Sequence, residues 1–533
     1  MRCLRLTLLF ASLPVLLGAS AAEDANRIID IAHNRGQVLQ IVSHLTDRIG
    51  GRMTNSPAMR EAERWTQAQF RQWGLSNVHA EGFEFGPGWW IESSSLRMTA
   101  PRPQMLRAIP IAWTPATNGP ISAEFVVAPM SEEKHFDAWR GKLAGKIVLV
   151  TLPRAPTDAS KVPFLRLTDK EIGELDTYEA PDHDPQSLKP RSKRRAFALK
   201  LDAFLKAEGA LAWARMSYRP NGLLHGEGYT HKTGQTPQVP AVEIAQEDYR
   251  RLARLAKVGP VRVELDSKVH FDTSNTEANN VFADIPGSDS SAGYVMAGAH
   301  LDSWVAADGA VDNAAGSAVI MEAARILATM GVKPRRTIRF ALWSGEEQGL
   351  YGSYAYAERH LASRPAVTDP DLLAGGPGTT SRVAFPITRK PGFKDLTLYL
   401  NVDNGGGKLR GLHAEGNVAA VPLLRNWLAP YDALGASAVV AGNTGGTDHV
   451  PFVRMGLPAY QFIQDPLDYN STTHHSSVDS YDHLRANDLR QASAVLAGVL
   501  LAAANADKTV PANVLPILPE DSDPFRYKDP NED

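Results

Sequence analysis

Metal-binding residue types follow three of the strands that the hydrophobic pattern predicts. The strands and the residues after them are 294–299 with His300, 338–344 with Glu346 and Glu347, and 396–402 with Asp403. In open α/β sheets, ligands bind at the carboxyl ends of the strands, so we expect these side chains to converge. Imidazole and carboxylate groups are ligands that zinc prefers in proteins. The pattern therefore predicts a metal site at one edge of the sheet.

Two further candidates stand in loops. Asp312 lies in the segment Gly309–Gly316, where a loop turns into the next predicted helix, and His475 lies in the late segment Thr473–Asp482. Each candidate has an ordinary explanation when taken alone, such as a helix cap for Asp312 or a surface turn for His475. The order and spacing of all the elements together favour a metal site over these separate explanations.

Hydrolysis at a pair of zinc ions would use every one of these residue types. Two zinc ions about 3.5–4 Å apart can clamp the attacking and leaving oxygens of a hydrolysis. One carboxylate must bridge the ions, and another must stay off the metal to accept the proton from the attacking water. Asp302, two residues after His300, is placed to orient that imidazole.

Composition excludes several other classes of protein. The 533 residues are 43% hydrophobic and 22% charged, as in a soluble globular protein, and the net charge of −3 predicts no nucleic-acid partner. The short basic run Arg191–Arg195 is typical of a solvated helix face. Because Cys3 is the only cysteine and lies near the N-terminus, any metal site must use His and carboxylate ligands.

The N-terminus has the pattern of a secretory signal peptide. Arg2 and Arg5 precede the apolar run 6–17, and Ala19-Ser-Ala21 provides a small-residue cleavage site. The alternative is a buried N-terminal helix. No later stretch is apolar for long enough to cross a membrane. The sequence therefore predicts a secreted or periplasmic protein with no membrane anchor.

From Asn279 onward, predicted strands and helices alternate, which indicates an α/β fold with a mixed, mostly parallel sheet flanked by helices. The chain is too long for one ordinary core, and its pattern changes character between residues 121 and 272, where the family resemblance given below implies a smaller inserted α/β domain. The predicted units are a signal peptide (1–21), the N-terminal part of the catalytic domain (22–120), the insert domain (121–272), the main part of the catalytic domain (273–508) and a C-terminal tail (509–533).

Six motifs resemble those of the co-catalytic di-zinc exopeptidases, the family that includes bacterial leucyl aminopeptidase and plasma glutamate carboxypeptidase. The matching stretches, in family order, are 298–304 (GAHLDSW), 312–316 (DNAAG), 343–349 (WSGEEQG), 401–404 (NVDN), 446–449 (GTDH) and 475–480 (HSSVDS). The insert, with stretches 141–150 and 238–242, more loosely resembles the protease-associated domain of such enzymes. The alternative for the insert is an extra lobe that shields the cleft.

The resemblance implies a role for each candidate residue. Asp312 would bridge two zinc ions, with His300 and Asp403 completing one site and Glu347 and His475 the other. Glu346 would be the general base, and Asp302 would orient His300. The family ligand stands directly before Ser or Thr, which selects His475, with His474 as the fallback. The stretch Thr447–His449 matches a segment that lines the site in relatives.

We therefore expect a secreted zinc exopeptidase that acts on small peptides, with an aminopeptidase or dipeptidase preferred to a carboxypeptidase. Less favoured alternatives are a glutaminyl-cyclase-like acyltransferase, which uses one zinc, and a non-catalytic binding protein. The expected partner is a small peptide substrate, and a homodimer stays open. The interruption 362–394 is either a loop over the active site or a surface excursion.

Overall fold

The computed structural model describes residues 13–155, 162–179, 188–232, 234–513 and 515. The helices are α1 (Leu13–Asn34), α2 (Val38–Ser43), α3 (Pro57–Gln72), α4 (Asp169–Glu174), α5 (Lys189–Ala207), α6 (Gln246–Leu255), α7 (Ala315–Met330), α8 (Tyr351–His360), α9 (Pro370–Ala374), α10 (Pro377–Thr380), α11 (Val421–Leu428), α12 (Val450–Val453) and α13 (Ala486–Asn505). The strands are β1 (Ser76–Glu84), β2 (Gly88–Ala100), β3 (Gln104–Leu106), β4 (Ala108–Pro110), β5 (Ile121–Val127), β6 (Ile147–Leu149), β7 (Ala212–Met216), β8 (Ala241–Ile244), β9 (Arg262–Asp272), β10 (Glu277–Ile285), β11 (Tyr294–His300), β12 (Thr337–Trp343), β13 (Ala362–Ser363), β14 (Thr388–Arg389), β15 (Leu396–Asn401), β16 (Leu409–His413), β17 (Ala438–Val440) and β18 (Ala459–Gln464).

The first large sheet has eight strands in the order β1-β10-β12-β11-β15-β18-β16-β17. Its four central strands, β12, β11, β15 and β18, are parallel, and antiparallel pairs flank them. The predicted mixed, mostly parallel α/β sheet is confirmed. The chain leaves β11 toward β12 on one side and reaches β15 on the other, so the strand order reverses beside β11. Such a reversal is where α/β proteins place their ligand site.

Helices cover both faces of this sheet because its central strands are apolar on both sides. On one face α7 and α13 pack against each other and against β11, and α1 and α2 lie behind them. On the other face α8 and α12 cover an aromatic cluster that includes Trp343 and Tyr399. Burial on both faces keeps the strand ends, and the loops that follow them, in fixed relative positions.

A second eight-stranded sheet has the order β3-β2-β9-β5-β6-β7-β8-β4 and lies between α5 and α6. This sheet contains β2, β3 and β4, so it begins at Gly88 and not at residue 121, the boundary that the sequence predicted. In the sequence, the segment 86–120 is rich in Pro, Trp and Ser, which predicts extended chain with turns. In the structure β2 pairs along almost its whole length with β9, which lies far away in sequence. We call residues 88–272 the insert unit.

The two ends of the chain leave some predictions untested. Most of the predicted signal peptide and tail, residues 1–12, 514 and 516–533, lie outside the described residues. The backbone of α1 runs across the predicted cleavage position after residue 21. Among the described residues, no helix combines the length and the hydropathy needed to cross a membrane.

Candidate metal centre

The side chains predicted at the strand ends do converge. His300 ends β11, and its Nε2 atom lies 3.2 Å from Asp312 Oδ1 and 3.5 Å from Asp403 Oδ1. The three residues form a buried group whose ligand atoms are close enough together to hold one metal ion. His300 Nδ1 donates a hydrogen bond to the backbone carbonyl of Asp302 at 2.9 Å, which leaves Nε2 turned toward the two carboxylates.

The two carboxylate oxygens of Asp312 face two different groups of residues. Oδ1 faces His300, whereas Oδ2 lies 3.4 Å from Nε2 of His475. His475 Nε2 also lies 2.9 Å from Oε2 of Glu347, the residue that follows β12 by four positions. The structure therefore brings His300, Asp312, Glu347, Asp403 and His475 together, with Asp312 in the middle.

The loop that carries Asp312 is held by its own neighbours. Gly309 has a φ of +59°, and a Cβ atom there would lie 2.3 Å from Cβ of Ser303, so the close turn requires glycine. Asn313 donates to the carbonyl of Val402 at 3.0 Å, and its Oδ1 accepts the N–H of Gly316 at 2.9 Å. Asn313 therefore supports the first turn of α7, and Asp312 is not needed as a helix cap.

Two buried residues that the sequence analysis did not assign also hold this loop. Asp479 accepts the N–H groups of Val311 at 2.7 Å and of Asp312 at 3.0 Å. The Arg52 guanidinium donates to the carbonyls of Asp308 and Gly309 at 2.7 and 2.8 Å. Asp479 stands inside a quoted motif, so its position was visible in the sequence, whereas nothing near Arg52 indicated its role.

His474 and His475 have different environments. His474 accepts a hydrogen bond from Arg219 at Nδ1 (3.1 Å), and its ring stacks on that of His475 with centroids 3.8 Å apart. His475 has a φ of +56° and directs Nε2 at Glu347 and Asp312. Both histidines lie near Asp312. His475 stays the predicted ligand, because its Nε2 atom lies within 3.4 Å of carboxylate oxygens of both Asp312 and Glu347.

Asp302 contacts His300 differently from the expectation. Its backbone carbonyl accepts the His300 Nδ1–H, while its carboxylate oxygen lies farther away, at 3.7 Å. The carboxylate instead accepts the N–H groups of Glu346 and Glu347 at 3.3 and 3.4 Å, and the hydroxyl of Thr54 lies 2.9 Å away. Asp302 thus links the turn after β12 to the end of β11.

Glu346 lies beside the predicted metal ligands and is not itself one of them. Its carboxylate lines the same cavity as Asp312, Glu347 and Asp403. Burial raises the pKa of Glu346 well above its ordinary value. The charge of His300 opposes this shift, and the neighbouring Asp403 carboxylate adds to it. A buried carboxyl with a raised pKa next to a reacting centre has the properties of a general base that returns its proton.

The segment Thr447–His449 lies behind the site. All three side chains are fully buried, and the cavity is lined instead by the flanking Gly446 and Val450. Asp448 accepts a hydrogen bond from Ser353, and burial raises its pKa to about 8. The segment therefore backs the cavity wall and does not line it.

A cavity of about 420 Å³ opens onto the site, a volume that suits a small ligand. Three arginines, Arg195, Arg382 and Arg454, line it together with Tyr469. The Tyr469 hydroxyl donates to Oδ2 of Asp312 at 3.3 Å. The cavity wall also includes Gly375, Gly378 and Thr379, so the interruption 362–394 contributes to the wall of this cavity.

The donor set fits zinc. Four buried carboxylates and two imidazoles meet in one place, and among the described residues the buried Nε2 atom of His300 has no hydrogen-bond partner. Burial opposes a charge on His300, but the carboxylates of Asp403 and Glu346 hold its pKa well above the ordinary value. A cation placed among these groups would offset the repulsion between the carboxylates.

An α/β sheet with imidazoles and carboxylates gathered at its switch point is the arrangement of a metal-dependent hydrolase. Residues 280–500 match the family model described as Peptidase family M28. Carboxypeptidase Q of Mus musculus is 24% identical over 471 residues, which cover 88% of this chain and 85% of that protein. Residues 280–500, which carry all five predicted ligands, therefore match peptidase family M28, and the protein is a zinc metallopeptidase.

Two solved structures share the fold. The peptidase M28 precursor from Shewanella amazonensis has a TM-score of 0.66 at 24% identity, covering 93% of this chain and 99% of that one. BSAP, a zinc aminopeptidase from Bacillus subtilis, has a TM-score of 0.56 at 18% identity, covering 90% of this chain and 97% of that one. The fold therefore extends over both sheets.

Proposed function

We propose that this protein is an exported exopeptidase that hydrolyses dipeptides and other small peptides with two zinc ions. The observation that carries the proposal is the position of Asp312, whose two carboxylate oxygens face His300 and His475 on opposite sides. A carboxylate in that position suits a bridge between two ions. His300 and Asp403 would complete one site, and Glu347 and His475 the other.

The side chains around this centre support a hydrolytic mechanism. Zinc, when bound, acidifies water and polarises the scissile carbonyl. Glu346 accepts the proton from the attacking water and passes it to the leaving amine. Once a substrate is bound, the Tyr469 hydroxyl would turn from Asp312 Oδ2 and donate to the oxygen of the carbonyl under attack. Burial raises the pKa of Tyr469 well above its ordinary value, so the hydroxyl keeps the hydrogen that it donates.

The arginines of the cavity support substrates with a free carboxylate. Burial lowers the pKa of Arg454 well below its ordinary value, and the positive charge of Arg382 is the next largest cause. The two guanidinium groups therefore lie close together. Arginines bind carboxylates with paired hydrogen bonds, so we infer that the substrate's terminal carboxylate lies beside Arg382.

The arginines favour a dipeptidase or carboxypeptidase over an aminopeptidase. The similarity to carboxypeptidase Q along most of the chain is consistent with this preference. An aminopeptidase stays the second candidate, because the zinc aminopeptidase of Bacillus subtilis has the same fold. The protease-associated identity of the insert unit and export through the predicted signal peptide are parts of the same proposal.

The test uses the mature, zinc-loaded protein and a Glu346→Gln variant, with dipeptides and tripeptides whose ends are free, N-acetylated or C-amidated. We expect cleavage of free dipeptides, a strong loss on C-amidation, and a kcat about 10²- to 10⁴-fold lower in the variant with unchanged zinc content. Loss on N-acetylation alone would identify an aminopeptidase. No cleavage of any peptide would refute the proposal.

A further inference from the structure

A carboxylate of the insert unit reaches the candidate metal centre. Glu227 Oε1 accepts a hydrogen bond from Nδ1 of His475 at 2.9 Å, although the two residues are 248 positions apart in the chain. Because Nδ1 carries the donated hydrogen, Nε2 of His475 is the ring atom that faces Glu347 and Asp312. The choice between the two ring nitrogens therefore depends on Glu227.

Glu227 is itself held in place from several sides. The Tyr218 hydroxyl donates to Oε1 at 2.9 Å, and that of Tyr229 donates to Oε2 at 3.4 Å. Arg215 donates to the backbone carbonyl of Glu227 at 2.8 Å and pairs with the buried carboxylate of Glu243 at 2.7 Å. A side chain fixed in this way can direct a neighbouring ring, whereas a freely rotating one cannot.

The chain around Glu227 binds the loop of His475 at two more points. The N–H of Ser477 donates to the carbonyl of Leu224 at 2.8 Å, and the Ser477 hydroxyl accepts the N–H of Leu224 at 3.2 Å. Arg219 donates to the carbonyl and to Nδ1 of His474 at 2.9 and 3.1 Å. Contacts on both sides of His475 fix the distance between the insert unit and this ring.

We propose that Glu227 is a positioning residue that aims His475 at the second zinc ion, so that the insert unit completes the metal centre. A carboxylate that accepts the second ring N–H of a metal-binding histidine fixes the ring's tautomer and orientation and increases its basicity. The inference rests on the proposed function, because it requires His475 to be a zinc ligand. It gives the insert unit a role beyond shielding the cleft.

The test measures the zinc dissociation constants of Glu227→Ala and Glu227→Gln by chelator competition. It also records the absorption of the cobalt-loaded proteins and the melting temperature of the metal-free proteins. Asp202→Asn is the matched control, because Asp202 is a buried carboxylate of the insert unit that binds the N–H groups of Gln238 and Val239. His475→Ala is the reference for loss of the ligand itself.

We expect the alanine variant to bind one of its two ions about 10- to 100-fold more weakly, with a changed cobalt spectrum and an unchanged melting temperature without metal. The glutamine variant keeps an acceptor oxygen and folds with the same side-chain shape, so its zinc affinity should lie between those of the alanine variant and the native protein. The control should bind both ions as the native protein does.

Three outcomes would overturn the inference, and they are distinguishable. If His475→Ala loses one ion while both Glu227 variants keep native affinities and spectra, Glu227 does not position His475 and the proposed function stands. If His475→Ala binds both ions with native affinity, the ligand assignment of the proposed function fails, and the inference fails with it. Equal weakening of zinc binding in Asp202→Asn would show a general structural effect, which also contradicts the inference.

Discussion

The carboxylate of Asp479 accepts the backbone N–H of Asp312 at 3.0 Å, and its other oxygen accepts the N–H of the preceding residue at 2.7 Å. The loop that carries Asp312 is thus held in place by the carboxylate of Asp479. That carboxylate lies four residues beyond His475, so one short segment provides both a predicted ligand and the support of another.

Replacing Asp479 should loosen this loop. We expect Asp479→Ala to lower the free energy of unfolding by about 2–4 kcal/mol, because two buried N–H groups lose their acceptors, and to reduce zinc content. Asp479→Asn keeps one acceptor oxygen and should show a smaller effect. Chemical denaturation and metal analysis measure both quantities, with the exposed Asp482→Ala as the control. Native stability in the alanine variant would contradict this role.

Zinc affinity should rise with pH. Against the effect of burial, Glu347 and Glu227 hold the pKa of His475 well above its ordinary value, and burial with the charge of Asp312 raises the pKa of Glu347 to about 8. The metal-free centre therefore holds protons near neutral pH, whereas zinc binds the deprotonated groups. Binding must release protons, so lowering the pH weakens it.

Calorimetry of zinc binding in buffers with different ionisation enthalpies counts the protons released. We expect net release at neutral pH and less release as the pH rises through the range in which Glu347 titrates. A binding enthalpy independent of the buffer would show that the centre is already deprotonated, which would contradict the raised pKa values of His475 and Glu347.

Arg382 should determine recognition of the substrate carboxylate. We expect Arg382→Ala to raise KM for free dipeptides about tenfold to a hundredfold, the loss of one charge-assisted contact, and to affect C-amidated peptides little. Arg389→Ala is the matched control, because Arg389 lies in the same 362–394 segment but is exposed and stacks on Phe393. Equal losses for free and amidated substrates would place the carboxylate elsewhere.

The sequence predicted the parts of the molecule that depend on local pattern. The strands before His300, Glu346 and Asp403 lie within a residue or two of their predicted bounds, because buried parallel strands are continuous apolar runs. The convergence of these side chains followed from one rule about strand ends. The α/β fold class was predicted for the same reason.

Interactions between distant segments could not be predicted in this way. Glu227 contacts His475 across 248 residues, and no local spacing marks a single acidic residue in a loop. Arg382 lies in a Pro- and Gly-rich interruption, where neither helical nor strand periodicity places a side chain. The pairing of β2 with β9 joins segments about 170 residues apart, so no local pattern in the sequence indicates it.

The zinc content of the native protein and of an Asp312→Ala variant tests most directly the proposed role of Asp312 as the bridge between two ions. Metal analysis after equilibration with zinc should give two ions per chain in the native protein and at most one in the variant. Asp308→Ala, four residues earlier and outside both ligand groups, should keep two. A single ion in the native protein, or two ions in the Asp312→Ala variant, would contradict the account of Asp312 as the bridge.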